Sequence, residues 1–252
     1  MKVTDHIKNA KGKTLFSFEV LPPLKGHKID DIFATINPLT EFDPRFINVT
    51  YHREEFVYKK KENNLLEKIA IRKRPGTVGI SVAIQMEYKI DAVPHLICGG
   101  FTKEETENAL IDLQFLGVDN VLALRGDPIK TENKFRPTPG GHSYAVELIE
   151  QILKMNDGEF LYDENYTNSK TNFCVGAAAY PEKHVEALNL KNDVARLKAK
   201  VDAGAEYLVT QLFYDNQKYF DFVDRCRAAG ITVLIIPGLK PLTKLRHIDF
   251  IP

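Results

Sequence analysis

The alternation of short apolar runs with amphipathic helical segments constrains the fold of this chain more than any other feature. Seven runs have the length and composition of β-strands: 14–20, 46–50, 93–98, 120–125, 173–179, 206–213 and 232–237. Helical patterns lie between several of them. Strands that alternate with amphipathic helices predict a parallel sheet covered by helices.

Three helical segments have clear boundary signals. Residues 102–116 open with Thr102 and Glu105, which are spaced as a capping box. Residues 188–203 repeat their apolar side chains at intervals of four, three and four, and a helix from about residue 216 follows Asp215 as its N-cap. These three helices follow the third, fifth and sixth of the predicted strands, as the alternation of an α/β domain requires.

A parallel sheet covered by helices can be arranged as an open Rossmann-type sheet or as a closed barrel. A Rossmann-type sheet carries a Gly-rich turn after its first strand, and here LPPLKG follows that strand instead. A (β/α)8 barrel collects its polar residues at the carboxyl ends of its strands. Most of the predicted strands have polar residues at or just beyond the carboxyl half, namely Glu19, Thr50, Tyr51, His95, Arg125, Asp127, Tyr180, His184 and Gln211. We predict a TIM barrel that occupies residues 1–252 as a single domain.

Each of these residues also has a purely structural interpretation. Glu19 can pair with Arg125 inside a barrel, His95 can be a hydrogen-bonded core imidazole, and Asp127 with the following proline can form an ordinary turn. The structural interpretations are strong one by one. They do not explain why polar residues recur at the same end of nearly every strand, which favours a shared site.

The composition excludes several classes of function. Lys and Arg together number 34, as do Asp and Glu, so no net charge draws the chain to nucleic acid or to an anionic membrane. The cysteines Cys98, Cys174 and Cys226 are widely separated and include no CxxC pair, which predicts reduced thiols and no metal site. With no secretory h-region and no long apolar run, we expect a soluble cytoplasmic protein.

Seven segments carry a resemblance to a known family. In chain order they are FSFEVLPP, VTYHREE, VPHLIC, ALRGDP, AAYPEKH, KVDAGAEYLVTQLFYD and IIPGLKP. Together they resemble the flavin-dependent methylenetetrahydrofolate reductases, which are TIM-barrel enzymes. The resemblance runs from about residue 14 to about residue 243, and seven segments in register make it highly specific.

The resemblance implies reduction of 5,10-methylenetetrahydrofolate to 5-methyltetrahydrofolate for methionine synthesis, with FAD and NADH or NADPH in a ping-pong reaction. It assigns Glu19, in FSFEVLPP, as the proton donor that opens the imidazolidine ring. Desolvation under a stacked pterin would raise the pKa of such a carboxyl group. It further implies that Asp127 lies between flavin and folate, and that Gln211 hydrogen-bonds the pterin and contacts nicotinamide.

The same resemblance implies a set of FAD contacts. They are Thr50, Tyr51, His95, Arg125, Gly126, Asp127, Tyr144, Ala145, Tyr180, His184, Ala187, Asp193, Arg196 and Lys200. The chain departs from the family pattern at His52 and Arg53, where small residues are usual. Arg196 stands where one branch of the family has asparagine, and Ala199 replaces a basic residue beside Lys200.

Two further expectations concern the end of the chain and its function. Only seven strands are visible before HIDFIP at 247–252, so we expect the eighth βα unit to be missing or truncated. Alternatives to the reductase are a barrel lyase or hydrolase that uses Glu19 and Asp127 as an acid/base pair, and an incomplete barrel that acts as a binding or assembly subunit. The resemblance also implies a homo-oligomer.

Overall fold

The computed structural model describes residues 1–62, 64–129, 132–162 and 169–245. These residues form nine strands, and a helix lies between most pairs of successive strands. The strands are β1 (Phe18–Val20), β2 (Phe46–Val49), β3 (Glu55–Lys60), β4 (Leu66–Ile71), β5 (Asp91–Ile97), β6 (Asn120–Leu124), β7 (Cys174–Ala179), β8 (Tyr207–Thr210) and β9 (Leu234–Ile236). All seven predicted strands are present, although several are shorter than the apolar runs that predicted them.

Seven α-helices connect these strands. They are α1 (Val3–Asn9), α2 (Ile29–Ile36), α3 (Thr77–Tyr88), α4 (Lys103–Phe115), α5 (Ala145–Asp157), α6 (Leu190–Asp202) and α7 (Asn216–Ala228). The predicted capping box of α4 is confirmed, since Glu105 N–H donates to Thr102 Oγ1 at 3.2 Å and Thr102 N–H donates to Glu105 Oε2 at 2.8 Å. Asp215 caps α7 by accepting from Gln217 N–H at 2.9 Å.

The chain divides into two units, Met1–Gly176 and Ala177–Pro252. In the first unit, β1 pairs with β2, β2 with β5, and β5 with β6, each time in parallel. Buried aliphatic side chains from β1, β2, α2 and α3 form one continuous cluster: Val20, Ile32, Ile36, Ile47, Val49, Ile80 and Ile84. The helices therefore cover one face of this parallel sheet, as the alternation in the sequence predicts.

In the second unit, β8 pairs in parallel with β9. Gln211 N–H, just beyond β8, donates to the carbonyl oxygen of Ala179 at the end of β7 at 2.7 Å. Helix α6 buries Val194 and Leu197, which belong to its predicted apolar stripe. Consecutive parallel strands are thus neighbours in each unit, and the fold is of the α/β, TIM-barrel type.

The antiparallel hairpin formed by β3 and β4 was not predicted. Its signals are an Asn63-Asn64 pair between two segments that mix charged and apolar residues, and Asn64 has a φ of 58°. The expectation that the eighth βα unit is missing or truncated cannot be compared with the structure, because residues 247–252 lie outside the described ranges. Within those ranges, no helix combines the length and the hydropathy that crossing a bilayer requires.

Candidate active site

Glu19, Asn48 and His95 lie on one face of the parallel sheet in the first unit. Glu19 is in register with Asn48, and Asn48 with Val93, so these three positions share a face. His95 is two residues beyond Val93 on β5 and returns to that face. The parallel register therefore brings together two of the predicted site residues, together with Asn48.

The carboxylate of Glu19 lies beside a neutral imidazole. His95 Nε2 is 3.8 Å from Glu19 Oε2. Burial, and to a smaller extent the nearby charge of His52, lower the pKa of His95 to about 4. Although the distance would suit an ion pair, burial keeps the ring uncharged near neutral pH, so this contact is not a salt bridge.

The exposure of the two side chains is very different. The side chain of His95 is 7% exposed and that of Glu19 is 61% exposed. The carboxylate of Glu19 therefore stands at the open surface of the sheet. Any desolvation of this group has to come from a bound molecule.

Asn48 was missed in the sequence, where it is one polar residue inside the apolar run FINVT. Its side chain is buried, and neither Asn48 Oδ1 nor His95 Nε2 has a hydrogen-bond partner among the described residues. Buried polar atoms without partners are uncommon and costly. This face thus offers an acceptor and an imidazole nitrogen next to Glu19.

The Arg125-Gly126-Asp127 segment follows β6 at the same edge of the sheet. Gly126 has a φ of +84°, a conformation that favours glycine, and a Cβ there would also press on Ile97 Cβ at 3.3 Å. The guanidinium of Arg125 lies over the ring of Phe135, 4.9 Å from its centroid. Asp127 is exposed, and its charge acts on His52, where it opposes the lowering of the pKa by burial.

Thr50 and Tyr51 follow β2, next to the end of β1. The N–H and the hydroxyl of Thr50 both donate to the carbonyl oxygen of Val20, at 3.1 and 3.4 Å. The ring of Tyr51 packs on Phe101 with centroids 5.1 Å apart, and burial raises the pKa of its hydroxyl. Tyr51, His95 and Phe101 border a cavity of about 550 Å³.

At His52 and Arg53 the chain departs from the family pattern, and the structure shows what these residues do. The Arg53 guanidinium forms an ion pair with Glu132, in the segment that follows Asp127. A Cβ on Gly99 would lie 3.0 Å from Arg53 Nη1, so the arginine packs closely on the chain that leaves β5. Arg53 therefore connects the end of β2 to the loops after β5 and β6.

Tyr144 and Ala145 lie at the start of α5. Tyr144 occupies the N-cap position without a side-chain capping bond and is exposed, whereas Ala145 is buried. Of this predicted pair, Tyr144 has the accessible side chain.

In the second unit, the segment after β7 is held by polar contacts to α6. His184 N–H donates to Asp193 Oδ2 at 2.8 Å, and the rings of Tyr180 and His184 meet edge to face, 4.7 Å apart. Lys183 has a φ of 87°, and its Nζ donates to the carbonyl oxygens of His184 and Ala187. Four predicted site residues are thus brought together: Tyr180, His184, Ala187 and Asp193.

Lys200 and Gln211 complete the predicted residues near the end of β7. Lys200 Nζ donates to the carbonyl oxygen of Ala178 at 2.9 Å, which places this cation on the strand. Arg196 is exposed one turn earlier on α6. The side chain of Gln211 is exposed, and its Oε1 accepts from Leu212 N–H at 3.3 Å.

A sequence profile of the family described as methylenetetrahydrofolate reductase matches residues 2–252. A 5,10-methylenetetrahydrofolate reductase of Buchnera aphidicola subsp. Baizongia pistaciae is 31% identical over 98% of this chain and 71% of its own length. This chain belongs to the methylenetetrahydrofolate reductase family.

Other family members are much longer than this chain. Methylenetetrahydrofolate reductase (NADH) 1 of Arabidopsis thaliana is 32% identical over 98% of this chain, which spans 38% of that relative. Among solved structures, a Clostridium thermocellum protein that binds two copies of 5-methyl-5,6,7,8-tetrahydrofolic acid has a TM-score of 0.57 at 15% identity. That match covers 98% of this chain and 73% of the other, and it supports the TIM-barrel type of fold.

Proposed function

We propose that this protein reduces 5,10-methylenetetrahydrofolate to 5-methyltetrahydrofolate, with FAD as cofactor and NADH or NADPH as reductant. The observation that carries the proposal is the position of Glu19 beside a buried, neutral imidazole in a chain of this family. A charged neighbour would hold the carboxylate in its ionised form. Neutral His95 exerts no such effect on Glu19.

Ring opening is the step for which the proposal needs an acid. The five-membered ring of the substrate opens when one nitrogen departs as an amine, and that nitrogen must receive a proton. We assign this proton transfer to Glu19, the exposed carboxyl group on the face shared with Asn48 and His95. Asn48 Oδ1 and His95 Nε2 would accept hydrogen bonds from the bound pterin or from a water below it.

Each unit, taken by itself, has residues that suit a part of FAD. In the second unit, Asp193 and Lys200 supply the carboxylate and the cation that we assign to ribose and pyrophosphate. In the first unit, the left-handed turn at Gly126 lets backbone approach a ligand closely, and Arg125 adds a cation. When bound, FAD would accept a hydride from the nicotinamide and deliver it to the folate.

Two more residues have roles that rest on the family resemblance. Gln211, exposed beyond β8, would hydrogen-bond the pterin and, in the other half of the reaction, the nicotinamide. Asp127 would place a negative charge next to the flavin and favour the positive iminium form of the folate. The product would supply the methyl group for methionine synthesis.

Anaerobic half-reactions test the proposal. The purified protein should carry a flavin that absorbs at about 450 nm. This absorbance should disappear when NADH or NADPH is added and return when 5,10-methylenetetrahydrofolate is added. A lyase or hydrolase would show no flavin, and an assembly subunit would bind flavin without the second step. A colourless protein that takes up no added FAD would refute the proposal.

A further inference from the structure

The β3–β4 hairpin is attached at both ends to the carboxyl edge of the first unit. At its start, Arg53 pairs with Glu132 in the segment after β6. At its end, the guanidinium of Arg74 donates to the carbonyl oxygen of Pro22, and Lys25 N–H donates to that of Lys73 at 2.7 Å. The base of the hairpin therefore lies next to the loop that follows Glu19 and next to the segment that follows Asp127.

The two faces of the hairpin differ in charge. Directly opposite residues of an antiparallel pair share a face. The first face contains Glu55, Val57, Lys59, Glu67, Ile69 and Ile71. Its two carboxylates are each paired with a lysine, since Glu55 lies 2.5 Å from Lys73 Nζ and Glu67 lies 3.2 Å from Lys61 Nζ.

The second face, which we call the aromatic-lysine face, contains Phe56, Tyr58, Lys60, Leu66, Lys68 and Ala70. The ammonium of Lys68 lies over the ring of Phe56, 3.7 Å from its centroid. Tyr58 is 60% exposed, and Lys60 is exposed with no ion-pair partner among the described residues. This face carries two cations and two aromatic rings and has no carboxylate.

We propose that the aromatic-lysine face binds the p-aminobenzoyl-glutamate tail of the folate substrate, a flat aryl amide that ends in carboxylates. The tail has the chemistry that matches this face, with a ring to stack on Tyr58 and negative charges for Lys60 and Lys68. The inference rests on the proposed function, because Glu19 receives the reacting end of the folate and the hairpin adjoins the loop after Glu19. Additional γ-glutamyl residues would strengthen the interaction through added charge.

A nicotinamide dinucleotide also combines an aromatic ring with negative charge, so the test has to separate the two ligands. Adjacent lysines on opposite faces provide a matched pair of variants, K60Q on the aromatic-lysine face and K59Q on the other. Both side chains are exposed, and both variants remove one positive charge. Circular dichroism would verify that each variant is folded.

The half-saturation concentrations for NADH and for mono- and triglutamyl 5,10-methylenetetrahydrofolate would be measured separately on the flavin-loaded protein. K60Q should raise the half-saturation concentration for the triglutamyl folate by roughly two- to fivefold, which is the range for one exposed charge pair. It should leave the half-saturation concentration for NADH unchanged. K59Q should change neither. Equal effects of K59Q and K60Q, or an effect of K60Q on NADH alone, would overturn the inference.

Direct titration separates failure of this inference from failure of the proposed function. If the unmodified protein does not turn over folate, the proposed function fails, while binding of p-aminobenzoyl-tri-γ-glutamate can still be followed by calorimetry. Binding that weakens in K60Q and not in K59Q would support the tail site. Absence of binding to the unmodified protein, or equal binding by both variants, would rule it out.

Discussion

The candidate site residues of the two units are arranged in different ways. In the second unit, Asp193 accepts from His184 N–H and Lys200 donates to Ala178, so these groups are fixed by contacts within the protein. In the first unit, Asn48 Oδ1 and His95 Nε2 are buried without hydrogen-bond partners among the described residues. One region is organised before any ligand binds, and the other leaves polar atoms for a ligand to satisfy.

This difference suggests separate roles. A side chain whose hydrogen bonds are made within the protein keeps a fixed position, which suits a site for a cofactor that stays bound. A face with an exposed carboxylate above buried polar atoms suits a ligand that enters and leaves, because binding can add hydrogen bonds directly or through water. We therefore expect variants of the first unit to affect reaction steps and variants of the second unit to affect cofactor retention.

The largest effect is expected for Glu19→Gln. Glutamine keeps the shape of the side chain but cannot donate the proton that ring opening needs, so reoxidation of the reduced flavin by 5,10-methylenetetrahydrofolate should slow by at least about a hundredfold. Reduction of the flavin by NADH or NADPH should be nearly unchanged. Stopped-flow absorbance measures both half-reactions, and an equal loss in the two would mean that Glu19 is structural.

The next largest expected effect is a pH dependence of the unfolding free energy, and it is caused by His95. The pKa of His95 falls from 6.5 to about 4 on folding. The unfolded chain therefore takes up the proton first, so the stability due to the neutral ring is complete above pH 6.5 and is lost as the pH falls toward 4. The unfolding free energy should decrease by on the order of 3 kcal/mol from this residue.

Urea denaturation at several pH values between neutral and acid would measure this loss. The stability difference between the unmodified protein and His95→Asn should shrink as the pH falls. His27→Asn is a suitable control because the His27 side chain is 57% exposed. If the stability difference for His95→Asn stays constant with pH, the ring is not held neutral by burial.

Much of the fold follows from local patterns in the sequence. The caps of α4 and α7 and the seven parallel strands were predicted because each depends on a few neighbouring residues. The place of Asn48 beside Glu19 depends on the register between two strands, which local patterns do not determine. Local patterns also do not determine the exposure of the Glu19 side chain, because exposure depends on what packs above the strand.

The hairpin illustrates another limit. Its strands mix charges with apolar residues on both faces, so neither alternation nor helical spacing stands out. The sheet register explains which of the predicted site residues lie close together. It does not show what these residues bind, so their roles stay predictions.

In the second unit, Asp193→Ala should weaken FAD retention without changing chemistry. Loss of the carboxylate removes the acceptor for His184 N–H and loosens the segment after β7. We expect the FAD dissociation constant to rise about tenfold, the effect of one lost hydrogen bond of about 1.4 kcal/mol. Asp202→Ala on the same helix is the control, and flavin fluorescence measures binding.

The rates of both half-reactions at saturating FAD should be unaffected by Asp193→Ala. A slower folate step in the fully flavin-loaded variant would contradict the separation of roles between the two units. It would also show that the contact between His184 and Asp193 positions more than the cofactor.

The smallest effect is expected for Asp127→Asn, which removes one exposed charge at the carboxyl end of β6. Without that charge the reduced, anionic flavin is easier to form, so the midpoint potential should rise by on the order of 30 mV. The folate half-reaction should slow more than the nicotinamide half-reaction, because a more stable reduced flavin is a poorer hydride donor. Asp119→Asn, at the other end of the same strand, controls for net charge. An unchanged midpoint potential, together with full folate activity in excess FAD, would make Asp127 an ordinary turn residue.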